Sequence, residues 1–414
     1  MKRIDLLILS WHQTYLSKNA GGYIRLSEFL KRAPKTIGFK LLDNTPTIYS
    51  DVASENELIR YQTPRLIKVF EKRFFILWFM LENITTAWIV YFTAKKLIRQ
   101  YKPKVLYVPI GEFFHLYLPA IILKLQFPQI RLVVDILNFE IPDKSVFTYY
   151  QKLRKSGQSI IRSILTIYAT LQSTFLIKRT VNLVDYIFTV SPDLISALKK
   201  YYRKESIDFT PSGVDSSFPL PKVKKKFLGV YLGRMTVQKG VFELLDVWSQ
   251  VIKKIPNAKL ALMGQADDQI LKSLKEKITE FKLDKNISVF GSVSEEKKRK
   301  ILSASQLFLH LARYEPLFPV IGILEGLSFG LPAIVYNMKV VSSQQNILKK
   351  WKCLYIIENG STKEVVKKIQ EYYKSTQKTK NLLSLEAKKF ANLYDWDKIA
   401  KKEFGIILDL IFRY

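Results

Sequence analysis

The stretch from residue 307 to 336 constrains the fold of this chain more than any other. It begins with a short apolar run, Leu307–Ala312, and ends with a second one, Ala333–Tyr336. Between them lie a loop punctuated by proline and a short helical pattern that stops at Gly330, with Pro332 soon after. Glycine just past a helix end, followed by proline, is a common helix stop. Strand, loop, helix and strand in this order predict a βαβ unit of a parallel sheet.

Two carboxylates, Glu315 and Glu325, flank the loop of this unit. The loop follows the carboxyl end of its strand, which is where open α/β sheets bind ligands. Because the N-terminus of a helix attracts anions, a carboxylate placed there needs a partner or a function. Both glutamates are therefore candidate site residues.

A second ligand-binding pattern follows the predicted strand Phe227–Leu232. Gly233 and Arg234 come directly after this strand, and Lys239 precedes Gly240 and a helix with one apolar face. Two cations at a strand end beside a helix N-terminus suit a diphosphate.

These residues resemble the donor-site motifs of retaining GT-B glycosyltransferases of family 4, the glycosyl transferases group 1. The matching residues of the first motif are Gly233, Arg234, Lys239 and Gly240, and those of the second are Glu325, Gly326, Gly330 and Pro332. One departure concerns the two glutamates, which the family spaces eight positions apart and this chain spaces ten apart. Either the loop carries a two-residue insertion, or Leu317 replaces the first glutamate.

The resemblance implies a role for each residue. Arg234 and Lys239 stabilise the diphosphate as it leaves, Glu325 binds the donor ribose, and Glu315 touches the donor sugar. It also implies a metal-independent reaction without a further cofactor, in which a nucleotide-diphosphate sugar is the donor substrate. Asp395 and Asp397 mimic a metal-binding D-x-D pair, but they stand at a predicted helix start, where acids act as caps.

The beginning of the chain repeats the phosphate-binding pattern. A predicted strand, Ile4–Leu9, leads to Gly21 and Gly22 and then to a helical pattern over Tyr23–Arg32. Strand, glycine-rich loop and helix form a geometry that cradles phosphates. In the resembled family a glycine-rich loop here approaches the donor phosphates. A second departure is Leu137, which stands where the family often has a histidine near the acceptor sugar.

The predicted fold class is α/β, with two Rossmann-like domains facing across a cleft, which is the GT-B architecture. We predict an N-terminal, acceptor-side domain over residues 1–220 and a C-terminal, nucleotide-sugar-binding domain over residues 221–390. The resemblance further implies that residues 391–414 form a helix that crosses back to the N-terminal domain.

The charge of the chain favours anionic partners. Its 414 residues carry a formal net charge of +30, which suits phosphates, acidic lipids or nucleic acid. Residues 152–179 form a basic amphipathic pattern, and residues 74–92 form an apolar stretch that Glu82 interrupts. Such patterns indicate contact with an anionic membrane surface, or else core helices with a solvated basic face. For residues 74–92 a transmembrane span is a third alternative. The single cysteine, Cys353, suits a reducing compartment.

The leading prediction is a cytoplasmic hexosyltransferase that contacts the inner face of the cell membrane peripherally. It would transfer a sugar to a lipid-linked glycan or a glycolipid. One alternative is a degenerate, weakly active GT-B subunit that serves as a binding or scaffold partner. A sugar epimerase would need an acid/base pair around the sugar, and we find none in the sequence. Nucleic-acid binding is supported by charge alone, without a recognised module, so no nucleic-acid partner is predicted.

Overall fold

The structure is a computed structural model that describes residues 3–11, 21–62, 75–137, 145–155, 159–221, 223–315 and 317–412. The chain forms two compact units. The first consists of Met1–Pro211 and Asp397–Tyr414, and the second of Ser212–Trp396. Each unit has one parallel β-sheet with helices packed on it, as the sequence predicts.

The first unit is built on a seven-stranded sheet with the strand order β3-β2-β1-β4-β5-β6-β7. All neighbouring strands are parallel. The strands are β1 (Leu6–Leu9), β2 (Phe39–Asp43), β3 (Leu58–Arg60), β4 (Val105–Val108), β5 (Arg131–Ile136), β6 (Tyr186–Thr189) and β7 (Ile207–Phe209).

The helices of the first unit lie between these strands and at the end of the chain. They are α1 (Gly21–Lys31), α2 (Phe75–Tyr101), α3 (Phe114–Gln126), α4 (Val146–Lys155), α5 (Ile160–Thr180), α6 (Pro192–Leu198) and the C-terminal helix α15 (Trp396–Phe412). Helix α15 shares a core cluster with α1, in which the ring of Phe29 stacks on that of Phe404 at 4.1 Å between centroids. Short 3-10 helices cover Pro46–Tyr49 and Val181–Leu183.

The second unit has a six-stranded parallel sheet with the order β10-β9-β8-β11-β12-β13. Its strands are β8 (Phe227–Leu232), β9 (Leu260–Met263), β10 (Ile287–Gly291), β11 (Ser305–His310), β12 (Ala333–Tyr336) and β13 (Leu354–Ile357). Strand β11 pairs with both β8 and β12. The predicted βαβ unit over residues 307–336 is therefore confirmed, and it lies at the centre of the sheet.

The helices of this unit are α7 (Val241–Val251), α8 (Asp268–Glu280), α9 (Glu295–Ser303), α10 (Ile321–Ser328), α11 (Lys339–Ser342), α12 (Gln345–Leu348), α13 (Thr362–Lys374) and α14 (Gln377–Asn392). A 3-10 helix covers Val237–Lys239. Helix α10 stops where the sequence predicts: Gly330 has a φ of 74°, and the N–H of Leu331 donates to the carbonyl of Gly326 at 3.1 Å. This is the glycine stop that ends many helices.

Two features of the first unit differ from the sequence prediction. Strands β3 and β7 are not predicted, because three residues at a sheet edge carry too short a pattern to be recognised. The basic stretch over residues 152–179 belongs to two helices rather than one. Ser159 caps the second, α5, since its side chain accepts a hydrogen bond from the N–H of Arg162 at 3.3 Å.

Candidate functional site

The predicted cation motif lies at the carboxyl edge of the second sheet. Strand β8 ends at Leu232, Gly233 and Arg234 follow, and Lys239 ends the 3-10 helix before α7. Gly240, with a φ of 73°, joins the 3-10 helix to α7. A Cβ atom on Gly240 would lie 2.1 Å from the carbonyl oxygen of Leu311, just past the end of β11. Glycine therefore lets this loop touch the neighbouring strand end.

This close approach places Lys239 beside Glu315. The Lys239 ammonium lies 2.6 Å from both carboxylate oxygens of Glu315. The Nε2 atom of His310, the last residue of β11, lies 2.9 Å from the Oε1 atom of the same carboxylate. Glu315 is only 4% exposed, whereas the side chain of Lys239 is 24% exposed. The cluster is thus a buried carboxylate with a cation that solvent reaches.

The pKa of Glu315 shows that its partners outweigh its burial. Burial alone would raise this pKa, but the hydrogen bond with His310 and the charge of Lys239 lower it below its ordinary value. Glu315 is therefore ionised at neutral pH. An ionised carboxylate at this depth needs its cation, which is why the position of Lys239 is strongly favoured.

Arg234 lies on the exposed side of the same loop. The hydroxyl of the buried Tyr231 donates to the carbonyl oxygen of Arg234 at 2.7 Å and so fixes the turn after β8. Burial raises the pKa of Tyr231 well above its ordinary value, which keeps the hydroxyl a donor. The backbone of Arg234 is thus fixed by Tyr231, while its guanidinium is exposed to solvent.

Glu325 lies on the second turn of α10. The first turn of this helix packs against the end of β8, since a Cβ atom on Gly322 would lie 2.5 Å from the carbonyl oxygen of Leu232. Glu325 forms an ion pair with Lys298 of α9, and Lys298 also contacts Glu295 at 2.8 Å. Burial raises the pKa of Glu325 despite the charge of Lys298.

The structure therefore brings Gly233, Arg234, Lys239 and Glu315 together at one edge of the second sheet, with α10 and Glu325 packed beside that edge. Gly21 and Gly22 belong to the other unit, where they begin α1. The residues directly before them, 12–20, lie outside the described residues. The proposed contact of Gly21 and Gly22 with the donor phosphates stays a prediction.

Leu137 follows β5 in the first unit. Its N–H donates to the Oε2 atom of Glu112 at 3.3 Å. Burial raises the pKa of Glu112 to about 7, although this hydrogen bond acts in the opposite direction. The position that a histidine often occupies in the resembled family thus carries an apolar side chain beside a titratable carboxyl group.

Two partners in this site are not predicted as such from the sequence. His310 is recognisable only as the polar end of an apolar strand, five residues before Glu315. Lys298 is one of several cations in a basic helix, and nothing in the sequence separates it from its neighbours. Among the described residues, no group of three or more His, Cys, Asp or Glu side chains is placed to hold a metal ion.

Comparison with known proteins supports the resemblance of the second unit to glycosyl transferases group 1. The family model described as glycosyl transferases group 1 matches residues 215–390. Mannosylfructose-phosphate synthase of Agrobacterium fabrum is 27% identical over 171 residues, which cover 36% of this chain and 37% of the relative. The GDP-mannose:cellobiosyl-diphosphopolyprenol alpha-mannosyltransferase of Xanthomonas oryzae is 30% identical over 109 residues, which cover 26% and 28%. The chain thus spans about a third of the length of these relatives.

The fold of the whole chain matches that of solved structures. The Anabaena protein Alr3699/HepE, solved in complex with UDP, superposes with a TM-score of 0.70 at 14% identity, covering 98% of this chain and 100% of that protein. At this identity the likeness concerns the fold. The motif residues and the family match over residues 215–390 assign the second unit to the glycosyl transferases group 1 family, and the chain as a whole has the GT-B fold.

Proposed function

We propose that this protein transfers a sugar from a nucleotide-diphosphate sugar to an acceptor, with retention of configuration and without a metal ion. The observation that carries the proposal is the cluster at the edge of the second sheet, where Lys239 pairs with the buried Glu315 and the exposed Arg234 lies on the same loop as Lys239. This cluster lies within the segment that the family model matches.

The two cations suit a diphosphate that gains charge as the glycosidic bond breaks. Arg234 is exposed and Lys239 is partly exposed, so both are accessible to a bound anion. Preorganised cations at a leaving group stabilise the transition state more than the ground state. Lys239 would bridge the diphosphate and Glu315, which keeps the carboxylate paired while the donor is bound.

Glu315 rather than Leu317 is the better candidate for the first glutamate of the family motif. The carboxylate of Glu315 contacts Lys239 of the other motif, whereas Leu317 offers no polar group. We therefore favour a two-residue insertion in the loop after Glu315. In this interpretation Glu315 faces the donor sugar and Glu325 binds the ribose.

The acceptor that we propose is a lipid-linked glycan or a glycolipid, reached from the cytoplasmic face of a membrane. The +30 charge of the chain supports an anionic acceptor or surface. One relative, the Xanthomonas mannosyltransferase, is named for a diphosphopolyprenol-linked acceptor. A hexose is the sugar class that we expect.

An assay of sugar transfer tests the proposal. The purified protein is incubated with radiolabelled UDP- and GDP-hexoses and with membrane lipid extracts, and the lipid phase is analysed for label and anomeric configuration. We expect labelled lipid with the donor configuration retained. Glu315→Gln should abolish labelling, while Leu317→Ala should reduce it only a few-fold. The reverse order of the two variants would assign the site position to residue 317 instead.

A second candidate is a weakly active subunit that binds without turnover. The observations that favour it are the altered glutamate spacing and Leu137 at a position often occupied by histidine in the resembled family. This candidate predicts binding of a nucleotide sugar without release of the nucleoside diphosphate. Measuring release of the nucleoside diphosphate in the same incubations, and donor binding by calorimetry, separates the two candidates.

A further inference from the structure

Three helices of the first unit, α2, α3 and α5, lie side by side. The hydroxyl of Tyr91 on α2 accepts from Gln126 on α3 at 2.7 Å, and the hydroxyl of Thr180 on α5 donates to Tyr117 on α3 at 3.4 Å. Helix α3 therefore packs against both of the other two. Together the three helices present a broad outer surface.

The outer surface is apolar along both flanking helices. On α2 the exposed large side chains follow one another at helical spacing and therefore share a face. On α5 a similar row begins with two isoleucines. The most exposed members are Phe92, at 63%, and Phe175, at 61%. We name the whole set the apolar face; it consists of Leu81, Ile84, Trp88 and Phe92 on α2 and Ile160, Ile161, Ile164, Leu171 and Phe175 on α5.

Water-exposed apolar rows on two long helices are unusual for a protein surface that contacts only solvent. Exposed apolar rows of this kind commonly mark a site of contact with a protein or a membrane. The two rows are parts of helices whose opposite sides are already buried: Val90 and Ile98 on α2, and Leu165 and Ile177 on α5. Core packing therefore does not account for the outward rows.

The charge around the apolar face selects the partner. Helices α2 to α5 contain a single carboxylate, Glu82. The cations on α2 and α5 lie near the helix ends: Lys95, Lys96, Arg99, Arg162, Lys178 and Arg179. Apolar rows bordered by cations, almost without acids, complement a surface with an apolar interior and anionic head groups.

We propose that the apolar face is the surface on which this protein binds an anionic lipid bilayer. Helices α2 and α5 would lie in the plane of the interface, with Trp88, Phe92 and Phe175 among the acyl chains and the cations at the head groups. This inference rests on the proposed function for the identity of the acceptor. It adds to that function the side of the first unit that contacts the membrane.

The geometry of α5 favours lying on the bilayer over crossing it. Among the described residues, Ile160–Leu183 is the one helical segment that is long and apolar enough to span a membrane, with a mean hydropathy of 1.4. However, α5 connects two strands of one sheet, β5 and β6, through α4 and a 3-10 helix. A span would pull Leu165 and Ile177 out of the core, so only the outward row is available to lipid.

Vesicle flotation without any nucleotide sugar tests the proposal. The full chain is mixed with phosphatidylcholine vesicles containing either no anionic lipid or about a third phosphatidylglycerol. We expect binding to the anionic vesicles that is at least tenfold stronger than to the neutral ones. Phe92→Asp and Phe175→Asp should each weaken binding to the anionic vesicles by roughly tenfold or more, since each removes an aromatic side chain that would insert into the bilayer. Ile347→Asp, at an exposed apolar residue of the second unit, should leave binding unchanged.

A second measurement tests insertion rather than charge. Lipids with brominated acyl chains should quench part of the tryptophan fluorescence, and Trp88→Phe should remove most of that quenching. If Phe92→Asp and Phe175→Asp bind like the wild type, the apolar face is not the docking surface. If the wild type binds neither the anionic nor the neutral vesicles, the proposal is overturned. If it instead self-associates and the same variants abolish that, the face is an interface between copies. Because no donor is present, these outcomes are independent of transferase activity.

Discussion

Two clusters of buried charges, one in each unit, differ in whether solvent reaches them. In the second unit Lys239 pairs with Glu315 at the edge of the sheet and is partly exposed. In the first unit Arg25 pairs with Asp135, at 3.2 Å, and with Glu403, and the side chains of all three are at most 5% exposed. Arg25 also donates to the Thr210 hydroxyl at 3.0 Å.

The difference separates a binding cluster from a structural one. Burial would lower the pKa of Arg25, but the charges of Glu403 and Asp135 raise it instead, so the guanidinium stays charged. Burial raises the pKa of Asp135 to about 8 despite Arg25. A cation buried between two carboxyl groups offers no surface that a ligand could contact. It joins α1, β5 and α15, and thereby fixes the C-terminal helix to the first unit.

The largest expected effect comes from breaking the sealed cluster. Arg25→Met leaves two buried carboxyl groups without their cation and should lower the free energy of unfolding by about 3–5 kcal/mol. Urea unfolding followed by circular dichroism measures this. The control is Arg32→Met, whose partners Glu28 and Asp397 lie nearer the surface and which should cost about 1 kcal/mol or less. Equal losses for the two variants would contradict the structural role of Arg25.

Removing the reachable cation should affect activity more than stability. Lys239→Ala deletes one charge at the leaving diphosphate, and kcat/KM for transfer should fall roughly 10²–10³-fold. The variant leaves the buried Glu315 without its cation and should lose some stability, but it should still fold because Glu315 keeps its contact with His310 and Tyr231 anchors the loop backbone. Steady-state kinetics with Lys253→Ala, an exposed lysine in the turn after α7, provide the control. Unchanged kinetics in the Lys239 variant would remove this residue from the site.

The first unit should lose stability as the pH rises above 5. The folded pKa of Glu112, about 7, lies above its ordinary value of 4.5. The stabilisation that Glu112 contributes is therefore complete below its unfolded pKa, and it is lost as the pH rises through 7. The loss in the free energy of unfolding is on the order of 3 kcal/mol at most. Asp135, with its raised pKa, titrates in the same window.

Glu112→Gln should therefore reduce the slope of the unfolding free energy against pH between pH 5 and 8, but some slope should remain. The amide oxygen of the glutamine can still accept from Leu137. The exposed Glu55→Gln is the control and should leave the slope unchanged. Parallel curves for the wild type and the Glu112 variant would show that Glu112 titrates normally.

The smallest effect concerns the partner of Glu325. Lys298→Met removes the cation that opposes the burial-raised pKa of Glu325, so the carboxyl group stays protonated to a higher pH. Affinity for a nucleotide sugar should fall by about tenfold at pH 6 and less at pH 8.5. Calorimetric titration at the two values measures this, with Lys300→Met on the same helix as the control. A loss that does not depend on pH would indicate a direct contact of Lys298 with the ligand.

Much of the second unit could be predicted from the sequence, because its motifs and its apolar strands are local. The strands β8 and β12 have the predicted bounds, and the loop with Arg234 and Lys239 follows its strand as expected. The pairing of Lys239 with Glu315 could not be predicted. It depends on Gly240 approaching the end of β11, which is a tertiary contact.

The sealed cluster of the first unit was not predictable for the same reason. Arg25, Asp135 and Glu403 are separated by more than a hundred residues along the chain, and none belongs to a recognisable pattern. The short edge strands β3 and β7 were missed because their hydrogen bonds to longer neighbours, rather than their own composition, define them.

In the proposed function, the solvent-accessible cations of the second unit, Arg234 and Lys239, bind a nucleotide-diphosphate sugar. The most direct measurement is thermal unfolding of the protein with a panel of UDP-, GDP- and other nucleotide sugars, compared with Arg234→Ala and with the exposed Arg203→Ala as control. We expect that one nucleotide family stabilises the wild type and the Arg203 variant, by roughly 2.7 kcal/mol at a hundred times the dissociation constant, and that Arg234→Ala loses this stabilisation. Stabilisation by no nucleotide sugar, or an equal gain in the Arg234 variant, would contradict it.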